Sequence, residues 1–172
     1  MRRRQRNDLP GDPQMSATLA PGDWNSLTRA LRQLHATLLA STRDEYMRDH
    51  GLVNPPSAGE LLMLATQDEQ FAWLRTLSEL MAQIDELADD PQARSDQELR
   101  AAVRGAVEQL LTPAPADARP FAANYLRHLH SHPDAVMAHS AVKQALQAWP
   151  GPSAQAHPLA QHIDRARRKT RR

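Results

Sequence analysis

The chain contains no cysteine, only six glycines, and aromatic residues at 4% of its 172 positions. Each shortage excludes a class of protein. Without cysteine there is no disulfide framework, no thiolate zinc site, no iron–sulfur cluster and no cysteine nucleophile. The glycines are scattered, the nearest two being Gly51 and Gly59, so no glycine-rich loop is available to cradle a phosphate. Valine and isoleucine together number seven, and strands have little to build on without β-branched or aromatic side chains. No apolar run approaches the length that spans a bilayer, so no membrane association of that kind is expected. The N-terminal arginines imitate the start of a secretion signal, but Asn7 to Pro13 follow with no apolar segment. A cytoplasmic setting is therefore the expectation.

Catalytic signatures are missing as well. No Glu is followed three residues later by His, the inward motif of di-iron carboxylate bundles, and His-Glu-x-x-His is absent. Ser78-Glu79 and His139-Ser140 are sequence neighbours, which do not face each other on a helix, so neither pairs a nucleophile with a base. Asp85-Glu86 and Asp89-Asp90 read as a solvated face. No cofactor is expected, and the chain reads as non-enzymatic.

What remains is rich in helix formers, with 28 Ala, 22 Leu and 19 Arg. The fold class is all-α. Asp23 caps a helix running to about Asp49, with Gly51 as its stop, and Trp24, Leu27, Leu31, Leu34 and Leu38 form one narrow packed face. After Asn54-Pro55-Pro56, Ser57 and Glu60 form a capping box that opens a short helix. Asp68 caps the next helix, whose Phe71, Leu74, Leu77, Leu80, Met81, Ile84 and Leu87 make the broadest apolar face. Ser95 and Glu98 read as a second capping box, leading into Leu99, Val103, Val107 and Leu111. Beyond Pro113, Asp117 caps a helix through Phe121, Tyr125 and Leu129, and Pro133 starts a final helix to about Ala148. The expected architecture is an irregular antiparallel bundle of five to six helices over residues 21–150.

A net charge of +1 conceals a segregation: +2 over residues 1–14, −6 over 15–150 and +5 over 151–172. Of the larger apolar residues, only Met1, Leu9, Leu159 and Ile163 fall outside the acidic body, too few for either end to fold alone. Residues 1–20 and 151–172 are accordingly expected to be disordered basic tails. Arg165, Arg167, Arg168, Lys169, Arg171 and Arg172 would attract nucleic acid or another polyanion with little sequence preference. They lack the apolar stripe that stable membrane attachment requires.

Histidines cluster near residue 130. On a helix His128 and His132 share a face, a usable metal-ligand spacing, while His130 points elsewhere. A third ligand would be His139 or a carboxylate from a neighbouring helix. A helix end before Pro133 also suits histidines that serve only its dipole and free carbonyls.

The stretch Glu60 to Glu86, with Phe71-Ala72-Trp73-Leu74, Leu77-Ser78-Glu79-Leu80 and Ile84-Asp85-Glu86, together with His132 to His139, resembles a family of small all-helical bacterial proteins of no known activity. The resemblance covers residues 24–149. It implies a helical fold in the cytoplasm and carries over no catalytic residue. Three functions follow as expectations. The first is a helical protein acting through contacts with a protein partner or a second copy of itself. The second is nucleic-acid association through the C-terminal tail. The third is a ligand pocket or a histidine metal site at His128, His132 and His139.

Overall fold

The computed structural model describes residues 23–114, 117–151, 159 and 161–164, and the statements below concern those residues. The leucine seam of the first helix organises them. Asp23 accepts a hydrogen bond from the Asn25 amide, opening α1 (Trp24–Asp49) where expected. Leu27, Leu34 and Leu38 are fully buried, with Trp24 and Leu31 nearly so. At 1.5 Å per residue this helix is about 39 Å long, and it is the strut against which α3 (Arg75–Ala88) and α7 (Pro133–Gln147) pack. Gly51 stops it in the left-handed region at φ 63°, where a residue with a Cβ would be strained.

The Ser57–Glu60 capping box forms and opens α2 (Ala58–Gln67), yet no residue of α2 is buried. The single helix expected from Asp68 is instead a 3-10 turn, Ala72–Leu74, followed by α3. Phe71, Trp73 and Leu74 are all buried. Residues three apart eclipse in such a turn, so Phe71 and Leu74 share a face, while Trp73 is buried in another direction, its ring against Phe121 and His128 where Phe71 meets Tyr46. Asp68 accepts from the Gln70 amide, a local turn that precedes this segment.

A further short helix, α4 (Pro91–Ser95), is capped by Asp90, whose side chain accepts from the Gln92 amide. Asp96, not Ser95, then caps α5 (Gln97–Leu111), accepting from the amides of Glu98 and Leu99. Ser95 is occupied elsewhere, its hydroxyl donating to the Gln92 carbonyl. Two more helices, α6 (Pro120–Ser131) and α7, each begin with a proline at the first turn. Up to Gln147 the described residues thus form eight helical segments rather than five or six, and no described residue is in a strand. The all-α class holds. Among them no helix is long and apolar enough to cross a membrane.

The boundary expected at residue 150 needs correction. Residues 161–164 are helical, and Leu159, His162 and Ile163 are buried. Two apolar residues are too few for a tail to fold alone, but here they join the body's own core, along with Trp149. Residues 1–20, and the cations Arg165 to Arg172, lie outside the described residues.

Candidate metal centre

The last turns of α1 depart from leucine. Ser41 and Thr42 are buried polar residues, and Glu45 lies four positions beyond Ser41 on the same helix face. Facing them, His128 near the end of α6 and His132 at its cap are also four apart. The structure therefore brings two such pairs together from segments distant in sequence.

His128 is completely buried, and its ring stacks on Trp73 (5.1 Å between centroids) and on His132 (5.2 Å). The Ser41 hydroxyl donates to the Leu38 carbonyl at 2.9 Å. Having one proton, it can meet His128 Nδ1 at 3.0 Å only by accepting from it. This hydrogen bond assigns the tautomer and leaves the Nε2 lone pair free to act as a donor atom. That nitrogen lies 3.7 Å from Glu45 Oε2, and His132 Nε2 lies 3.5 Å from Glu45 Oε1. One ligand atom from each of the three residues falls within 4.8 Å of the others. Donors around tetrahedral zinc, bound at about 2.0–2.1 Å, stand roughly 3.3–3.4 Å apart. Each imidazole thus stands within a few tenths of an ångström of that spacing from one oxygen of the carboxylate, His128 from Oε2 and His132 from Oε1.

The electrostatics put His128 and Glu45 in their ligating forms. Burial pushes His128 down to about 4, against the pull of Glu45 and with help from Arg127 and His132, so the imidazole is neutral at neutral pH. For Glu45, burial opposes the charge. The hydrogen bond from Arg127 and the neighbouring His128 outweigh it, and the carboxyl is held below its ordinary range. Arg127 is the cation already present: Nη1 donates to Glu45 Oε1 at 2.6 Å, and Nη2 donates to Asn124 Oδ1 at 3.0 Å while lying 3.4 Å from His128 Nε2.

His132 ends α6 and caps α7 with φ −127° and ψ 106°, the extended conformation that a following proline favours. With Ser41, Asp44 and Asp134 it lines a groove of about 600 Å³ between α1 and α7, which gives solvent an approach from that side.

His139 is not part of this cluster. Its Nδ1 is hydrogen-bonded to the Tyr125 hydroxyl at 2.6 Å, and burial raises the tyrosine so that it stays protonated. His130 is exposed. Of the two third ligands open from sequence, the carboxylate is the one brought to the pair. Spacing alone does not find Glu45 or Arg127. The signal for Glu45 is the change from leucine to buried polar residues at Ser41 and Thr42, which marks the point where α1 meets something other than apolar core.

A second surface feature stands at the other side of the α1 terminus. Leu52, Val53, Leu62 and Met63 are exposed, Val53 at 90% and Leu62 at 65%. A groove of about 930 Å³ is lined by Tyr46, Leu52, Pro55, Met63 and Leu64 and edged by Glu60 and Asp68. From residue 49 to 74 there are four carboxylates and no Lys or Arg. Compared with known proteins, the chain matches no family model, no curated protein and no solved structure.

Proposed function

We propose that the protein is an irregular antiparallel helical bundle of the cytoplasm that binds one divalent first-row metal ion through Glu45, His128 and His132. The observation that carries this reading is the convergence of two imidazole nitrogens and a carboxylate within 4.8 Å. Two nitrogens and one oxygen suit zinc and its neighbours, not magnesium or calcium, which take oxygen ligands. The Ser41–His128 hydrogen bond supplies the outer partner that fixes a ligating ring. Such an ion would fasten the end of α1 to the α6–α7 junction and leave a fourth position for water on the groove side.

Isothermal titration of the untagged full chain with zinc chloride tests this. One equivalent should bind the wild type. Glu45→Gln and His132→Ala should each weaken binding by more than about 100-fold, beyond the range for outer-sphere partners, whereas His139→Ala should leave it unchanged. Absence of stoichiometric zinc in the wild type overturns the reading.

The acid-edged groove beside α2 supports a second reading, contact with a protein partner. Apolar floor, carboxylate rim and the absence of basic residues from 49 to 74 together fit a basic amphipathic helix.

A further inference from the structure

The three candidate ligands are not waiting free. The Arg127 guanidinium donates to Glu45 Oε1 through Nη1, and its Nη2 stands 3.4 Å from His128 Nε2. Those are two of the three donor groups that a metal ion would use. The imidazole Nε2 of His128 has one lone pair, which cannot serve a guanidinium and a metal in the same geometry. A divalent ion drawn into the site would also stand against a cation that cannot be deprotonated. Metal and Arg127 must therefore exchange.

We infer that Arg127 is a resident cation that occupies the metal site in the metal-free protein, so that metal uptake requires its release and its hold sets the affinity. This rests on the metal-binding reading above. The geometry supplies both halves of such an exchange. Arg127 is half-exposed, with 48% of its side chain open to solvent, so the guanidinium has somewhere to go. Asn124 Oδ1, one turn earlier on α6, accepts from Nη2 at 3.0 Å and holds the fork in its inward position. In the metal-free state the arginine neutralises Glu45, whose side chain is only 13% exposed. A buried carboxylate without such a partner is costly, which gives the arginine a structural reason to sit there until a stronger cation arrives. Apparent metal affinity is then the intrinsic affinity multiplied by the fraction of molecules in which Arg127 has swung out.

The experiment compares zinc titrations of the full-length wild type, Arg127→Gln and Asn124→Ala, with thermal unfolding of each protein with and without saturating zinc. Arg127→Gln removes the competing charge and should bind zinc at least about tenfold more tightly, within the usual span of coupling between two sites. Asn124→Ala keeps the charge, loosens its anchor and should give a smaller gain in the same direction. Without zinc, Arg127→Gln should unfold at a lower temperature than the wild type because Glu45 has lost its partner, and saturating zinc should close that gap. An arginine with only a structural role would lower stability in both states and leave affinity unimproved. Equal or weaker binding by both variants refutes the exchange while leaving the metal site standing. No zinc bound by wild type or by either variant removes the site and the exchange together.

Discussion

His128 is the residue on which most of the site's chemistry turns. It is buried, neutral, and held by one hydrogen bond to Ser41. Its proton affinity in the folded state, near 4, lies below the unfolded value, so as pH falls the unfolded chain takes up the proton first. The stability that follows from a neutral His128 is complete above about pH 6.5, the unfolded value. It is lost as pH drops toward 4, by up to about 3 kcal/mol from a shift of that size. Glu45 facing the ring moderates the loss, while Arg127 and His132 add to it. Burial shifts His35 and His139 in the same direction, so they contribute to the same acid limb. Urea denaturation of metal-free protein across this range should show the decline, and His128→Phe should remove most of the slope while lowering the plateau. A wild type whose stability is level between pH 6.5 and 4.5 contradicts the assignment. At this scale the sequence disclosed His128 and His132, because their relation is local and helical. Glu45 was hidden because nothing near it in sequence records that α6 passes beside it.

Helical periodicity and capping chemistry together account for most of the elements. The α1 seam, the Ser57–Glu60 box and Pro133 at the start of α7 all follow from local rules, and each appears as those rules require. The segment at 68–74 does not, since a 3.6-residue repeat predicts one helix whereas Phe71 and Trp73 are buried against different partners, Tyr46 on one side and Phe121 and His128 on the other. Ser95 and Asp96 are both acceptable caps, and only the neighbouring α4 decides between them. The element with least tertiary support is α2, none of whose side chains is buried. Substitution there should alter surface chemistry without unfolding the protein. A synthetic leucine–lysine amphipathic helical peptide is expected to bind the adjacent groove, and its leucine–glutamate counterpart to bind far less. Met63→Asp, at an exposed residue that lines this groove, should weaken the basic peptide at least about tenfold, the effect of losing roughly 1.4 kcal/mol, with the melting temperature unchanged. Equal binding of both peptides, or binding indifferent to Met63→Asp, argues against a docking groove. Light scattering on the same samples would identify a second copy of the chain as the occupant instead.

Across the whole molecule, the division into an acidic body and basic ends divides charge more faithfully than it divides structure. Leu159 and Ile163 belong to the core, so a truncation at the boundary expected from sequence, residue 150, removes packing together with the cations. Burial of a Leu or Ile side chain contributes about 1.5–3 kcal/mol, and deletion of residues 152–172 should lower the melting temperature by several degrees or more. Replacing Arg165, Arg167, Arg168, Lys169, Arg171 and Arg172 with Gln keeps Leu159 and Ile163 and should lower that temperature less. If the cations contact nucleic acid, the same replacement should abolish salt-sensitive binding of a fluorescent DNA duplex. Retained binding rules that role out. The sequence concealed this boundary because two apolar residues in a charged segment look insufficient until an existing surface receives them.

Arg127 and Glu45 are 82 positions apart in the chain. Bringing two such distant points together carries a large loop-closure cost, which contacts within one helix do not face. The three donors consequently meet only after α1 and the α6–α7 corner have docked, however early each helix forms. The proposed cation would then recognise a tertiary arrangement, and the rate at which a refolding chain gains the capacity to bind it would time this long-range closure of the fold.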